Sequence, residues 1–159
     1  MANERLLPIY KELFEEDFCY YDFNQRMKMQ KAIYLLQAMG APVGGYSYRW
    51  YLHGPYSQVL QDDMYAARDG KAKELAVSEE SSELIAKLGE VFRSEERGGY
   101  SVTDWVECLG SMYYLQERIM SSDADQKAIL AKLVEEKPHL SDETVNAAAY
   151  RLLEGLFAV

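Results

Sequence analysis

The chain has 159 residues, 48% of them hydrophobic and 27% charged, with 13 Tyr and a net charge of −9. That length can bury about two-thirds of the unfolded surface in a single core, so neither disulfides nor a structural metal are needed for stability. Two cysteines without CxxC spacing, two histidines far apart and no apolar run of about 18 residues argue against a disulfide scaffold, a zinc centre and a membrane span.

The predicted elements begin with a helix capped by Asn3 that carries Leu6, Leu7, Tyr10, Leu13 and Phe14 at 3-4 spacing and frays near Glu15-Glu16-Asp17. A second helix starts near Asp22 or Asn24, runs to Met39 and stops at Gly40, with Pro42 just beyond; its later half is apolar nearly all round, as expected of a central helix. The run Tyr46 to Leu52 reads as one extended strand, with Tyr46, Tyr48 and Trp50 on one face and Tyr51 on the other, broken by Gly54-Pro55. Ser57 caps a third helix through Asp69 with Gly70 as its stop, and Leu75-Ala-Val77 is a candidate second strand.

A fourth helix from Ser78 or Ser81 places Leu84, Ile85, Leu88, Val91 and Phe92 inward and ends before Gly98-Gly99. Ser101 opens a fifth, in which Val102, Trp105, Val106, Leu109, Tyr113, Gln116 and Met120 keep helical phase, with Asp104 completing a variant capping box. Two more helices, Asp123 to Glu136 and Ser141 to about Leu156, are separated by Pro138. The sum is a mainly α fold of about seven helices around one core with a minor two-stranded β element, a single domain over residues 1–159.

Charge is unevenly spread. Residues 1–77 carry 9 Lys+Arg against 10 Asp+Glu, and residues 78–159 carry 8 against 16. The stretch Phe23 to Gln61 has no acidic residue, yet it holds Arg26, Lys28, Lys31, Arg49 and seven aromatics. Candidate binding residues lie there: Arg26, Lys28, Lys31, Arg49, Tyr51, His53, Tyr56 and Ser57. The helix starting at Ser57 could offer free N–H groups to an anion, or Ser57 could be only a cap and Gly54-Pro55 only a turn. His53 could assist a ligand or merely bond a carbonyl, and Lys28 with Lys31 reads as a solvated pair before it reads as a ligand clamp. Asp62-Asp63 point about 100° apart on a helix and form no acid/base dyad, one of them being expected to stabilise the start of its own helix.

The block Arg26-x-Lys-x-Gln-Lys-x-x-Tyr-Leu-Leu-Gln37, then Tyr51-Leu-His-Gly-Pro-Tyr-Ser57 and Leu60-x-Asp-Asp63, resembles the Panacea antitoxin-like domain, which includes SocA-like proteins and their YwgA-like relatives. Met29 stands where Leu is usual in that family and His53 where Tyr is common. The resemblance is specific over residues 26–63 and faint later, around Lys137-Pro-His-Leu-Ser141. It implies a compact helical domain acting as an antitoxin or proteolytic adaptor that neutralises or delivers a protein partner.

Two functions are therefore expected. The first is a non-catalytic, cofactor-free protein-interaction module in the cytoplasm, whose aromatic stretch supplies hot-spot contacts and whose acidic half steers a basic partner. The second is a small-molecule or nucleotide-binding protein with a pocket formed by Arg26, Lys28, Arg49, His53 and the Ser57 helix start. Duplex nucleic acid is disfavoured by the net charge, and no nucleophile-base-acid grouping is visible for catalysis.

Overall fold

The computed structural model describes residues 3–158. Helices α1 (Leu6–Phe14), α2 (Phe23–Ala38), α3 (Gln58–Ala66), α4 (Glu79–Phe92), α5 (Val102–Tyr114), α6 (Gln126–Glu136) and α7 (Glu143–Phe157) surround one core, with strands β1 (Arg49–Tyr51) and β2 (Gly54–Tyr56) inserted between α2 and α3. The fold class is therefore mainly α with a two-stranded antiparallel sheet. No helix among the described residues is long and apolar enough to cross a membrane.

The helices start where a short polar side chain can take over an orphan amide. Asp22, Ser57, Ser78, Ser101, Asp125 and Asp142 each accept from the N–H three residues on. α1 is the exception. Its N-cap is Arg5, which makes no side-chain cap bond, while Asn3 accepts from Arg5 N and spends its amide on the Val43 carbonyl and the Tyr46 hydroxyl. Asn3 thus ties the chain start to the loop after α2 instead of capping in the expected way.

The interior is organised by α2, in which every residue from Met27 to Leu36 is buried. Its main neighbour is α5, and α1 against α4 forms the second large contact. Trp105 of α5 is fully buried and donates its indole N–H to the Val91 carbonyl at 2.9 Å, a bond that settles the one polar atom of the largest core side chain. After Tyr114 the helix widens, the Met120 amide reaching back five residues to the Leu115 carbonyl. The widened turn carries Arg118 to the Tyr48 carbonyl at 3.0 Å and so fastens α5 to the segment before β1.

The sheet differs from the sequence expectation. Only Arg49–Tyr51 of the aromatic run is strand, and its partner is Gly54–Tyr56, in register Arg49↔Tyr56, Trp50↔Pro55 and Tyr51↔Gly54. Gly54-Pro55 is therefore strand rather than breaker, and the turn is Leu52-His53. Leu75 and Val77 only pack partly buried against the core. A two-residue turn closes a hairpin at little entropic cost, whereas pairing β1 with residue 75 would close a far longer loop. α3 also ends at Ala66 rather than Asp69, with the Gly70 amide bonded to Ala67 in a turn beyond it.

Candidate functional site

One turn-by-turn stripe of α2 faces the hairpin. Phe23, Arg26, Met27, Gln30 and Lys31 recur at 3-4 spacing, and with Tyr51, His53, Gly54 and Tyr56 of the hairpin and Gln61 of α3 they line a pocket of about 210 Å³. All ten lining residues fall inside the acid-free stretch Phe23 to Gln61, so among the described residues no carboxylate lines the pocket of a chain with 26 Asp and Glu.

The floor and the rim differ in exposure. Met27, Gln30, Lys31 and Gly54 are buried, and Phe23 and Tyr51 are exposed. At the rim Arg26 lies over the rings of Tyr20 and Phe23, 5.2 and 5.6 Å from their centroids, and Phe23 meets the His53 ring edge-on at 5.2 Å. Tyr51 and Tyr56 pair across the hairpin at 5.2 Å. Burial lowers the His53 pKa below its ordinary value, and the nearby ammonium of Lys31 pushes the same way.

Two glycines make the floor possible. Gly54 has φ +94°, a conformation that L side chains rarely adopt, and a Cβ there would overlap the Ser111 hydroxyl. A Cβ on Gly110 would sit 2.8 Å from Lys31 Cγ. Without those two hydrogens the hairpin, α5 and the Lys31 stem could not share the space. Lys31 is 2% exposed, and among the described residues its ammonium forms no hydrogen bond or ion pair. Desolvation lowers its pKa from the usual lysine range to about 7; the Glu107 carboxylate opposes the shift and the Lys137 ammonium adds to it.

Behind the hairpin lies a second layer of charge. Lys137, just past α6, donates to the Leu52 carbonyl and, at 3.4 Å, to that of Tyr51, with its ammonium 4.8 Å from the Trp50 ring centroid. It also stands 3.7 Å from Glu107 Oε2, while Glu107 Oε1 contacts His139 Nε2 at 2.9 Å. Desolvation lowers the Lys137 pKa too. Sequence reasoning missed both Lys137 and Glu107. Glu107 had left a signal: it is the one charged residue in the apolar run Trp105 to Gly110 of its helix. Of the two histidines, His139 is brought beside other groups able to ligate: among the described residues Asp104, Glu107 and His139 bring one donor atom each within 4.8 Å of one another, although Lys137 competes for the same Glu107 carboxylate.

The structure divides the eight candidate residues. Arg26, Lys31, Tyr51, His53 and Tyr56 meet at the pocket. Lys28 does not: it is buried on another face, paired with Glu16 at 2.8 Å and 4.8 Å from the Phe14 ring centroid. The solvated Lys28/Lys31 pair is thus corrected, because a helix buried all round leaves no solvent face for either lysine. Arg49 lies exposed along a shallow groove on the outer hairpin face with Tyr51, Tyr56 and Val59. Ser57 is 1% exposed and occupied by its own helix, its Oγ taking the Leu60 amide, so that helix start offers nothing to a ligand in the pocket. Asp63 accepts from the Tyr46 hydroxyl at 2.6 Å and Asp62 from Gln58 at 3.0 Å, so Asp63 secures the loop before β1 rather than serving its helix alone.

Searches against protein-family models, curated proteins and solved structures give no match to this chain.

Proposed function

We propose that the protein is a non-catalytic protein-interaction module of antitoxin or proteolytic-adaptor type, and that its contact surface is the aromatic rim of the pocket. One observation carries this reading. Of the seven large hydrophobic side chains left exposed among the described residues, six, Tyr21, Phe23, Tyr51, Leu52, Val59 and Tyr65, belong to residues 21–65, and only Ile119 lies elsewhere. They are linked through their neighbours. Tyr20 meets both Tyr21 and Tyr65, Arg26 bridges Tyr20 to Phe23, and Tyr51 joins the pocket to the groove that Val59 borders.

A cluster of exposed apolar and aromatic side chains around a recess is the kind of surface that buries hot-spot side chains on association. The resemblance of residues 26–63 to Panacea-type domains supports the same class of activity, and the acidic second half of the chain suits a basic partner. The partner is a protein, and the setting is the cytoplasm.

The test is capture of a partner from the native cell by the wild type and by Leu52→Asp/Val59→Asp, two exposed apolar residues beside the rim that do not line the pocket. Loss of a hot-spot pair weakens binding by about 30-fold or more, so the variant should keep its melting temperature and lose the captured band. Equal capture by both proteins would overturn the reading.

A further inference from the structure

The pocket floor holds a cation that no carboxylate contacts among the described residues. Lys31 is almost wholly buried and lines the cavity, its ammonium is unpartnered among the described residues, and no carboxylate lines the walls. The other polar groups of the floor are already engaged. Gln30 spends Oε1 and Nε2 on the Ser57 backbone and reaches Gln61 Oε1 at 3.4 Å, while the Gln61 amide points to the Tyr20 hydroxyl at 3.4 Å. Among the described residues that line the floor, Lys31 thus keeps all of its donors free.

From this we infer that the pocket receives a carboxylate, with Lys31 Nζ binding its oxygens at the floor and Phe23, Tyr51 and Tyr56 enclosing an apolar or aromatic body above it. The inference rests on the reading of the rim as a contact surface and names the chemical group that the recess inside it takes.

Charge and shape select the class. One deep ammonium balances one negative charge, which suits a monoanionic carboxylate at the floor, while the Arg26 guanidinium stays at the rim over the Tyr20 and Phe23 rings. Aromatic rings of the rim, two of them in mutual contact, favour a flat or apolar group next to the carboxylate. Such a ligand comes from two sources: the C-terminal residue of a polypeptide, or a free arylalkyl acid.

Binding also restores what burial takes from Lys31. A carboxylate supplies the counterion that the site lacks, so the ligand should bind best while Lys31 is protonated. The charged groups around Lys31 are Glu107 on α5, Lys137 beyond α6, His53 in the hairpin turn and Arg26 on its own helix. Of these only Glu107 is negative, and it is shared with Lys137 and His139.

Calorimetry or ligand-observed NMR with phenylacetate, phenylacetamide, inorganic phosphate and a peptide ending in Phe, as free acid and as amide, tests the proposal. Phenylacetate should bind the wild type about 10- to 100-fold more tightly than phenylacetamide, and Lys31→Met should remove that preference. Tighter binding of the free-acid peptide than of phenylacetate identifies a polypeptide end as the ligand, and the reverse order a free acid. Equal binding of acid and amide, unchanged binding by Lys31→Met, or phosphate outcompeting phenylacetate overturns the proposal. The acid-against-amide comparison needs no variant. Carboxylate binding that survives while Leu52→Asp/Val59→Asp leaves partner capture unchanged would remove the interaction reading and keep the pocket; partner capture without carboxylate binding would do the opposite.

Discussion

The side-chain amide of Gln30 meets the backbone of Ser57 twice, Nε2 donating to its carbonyl at 2.9 Å and Oε1 accepting from its amide at 2.8 Å. Two turns further along α2, Gln37 treats Tyr46 in the same manner, at 2.8 and 3.0 Å. One helix thereby clamps both ends of the segment that contains the hairpin, each glutamine imitating the peptide edge of a neighbouring strand. The pocket wall is held from its two ends, and its rim is left free.

Gln30→Glu keeps the shape of the clamp but replaces its donor with an acceptor facing the Ser57 carbonyl, both of them buried. Destabilisation of about 2 kcal/mol is expected, a fall in melting temperature of about 4–8 °C for a chain of this size. A thermal melt followed by circular dichroism measures it, and a fall below about 1 °C would show that the clamp contributes nothing.

Gly54→Ala meets two obstacles, the φ of +94° and the overlap with Ser111. A loss of about 2–3 kcal/mol is expected for the single variant. Adding Ser111→Ala removes the hydroxyl but not the backbone strain, so the double variant should recover about 1 kcal/mol in a double-mutant cycle. Strict additivity of the two single effects would mean that the close approach costs nothing.

Lys31→Met removes a buried charge while keeping most of the side-chain volume, and should stabilise the protein by about 1–4 kcal/mol at pH 6. The sign of the pH effect follows from the pKa. The folded-state pKa of about 7 lies below the usual lysine value of 10.5, so the unfolded chain binds the extra proton between these values. Wild-type stability relative to the variant therefore stays at its lowest below pH 7 and rises from there toward pH 10. Urea denaturation at several pH values checks this. A stability difference that does not change with pH would show that Lys31 titrates normally.

Lys137→Met leaves the Glu107 carboxylate buried without its ammonium neighbour and frees the Leu52 carbonyl. A loss of about 3 kcal/mol is expected, together with faster amide hydrogen exchange across residues 50–56. Lys137→Met with Glu107→Gln should recover most of the stability but not the exchange protection of the hairpin, because the bond to Leu52 remains broken. Recovery of both would place the role of Lys137 in charge balance alone.

Much of the fold was legible because helices announce themselves locally. Period 3.6 apolar stripes, Asp22, Ser57, Ser78 and Ser101 at their caps, and Gly or Pro beyond their ends are properties of neighbouring residues, and all seven helices follow from them. The acid-free stretch Phe23 to Gln61 was equally visible, and it encloses the whole pocket lining. Strand pairing was not legible, since whether β1 takes Gly54–Tyr56 or Leu75–Val77 depends on chain closure rather than on residue type. The fate of each cation was likewise decided in three dimensions. Lys28 and Lys31 are three residues apart on one helix, yet one turns to Glu16 and the Phe14 ring while the other ends without a contacting partner among the described residues in the pocket, because Phe14 and Glu16 reach one side of α2 and the hairpin covers another. Lys137 and Glu107, thirty positions apart, became the support of the hairpin for the same reason: burial forces charged groups to find partners wherever the fold brings them, and sequence distance places no bound on that choice.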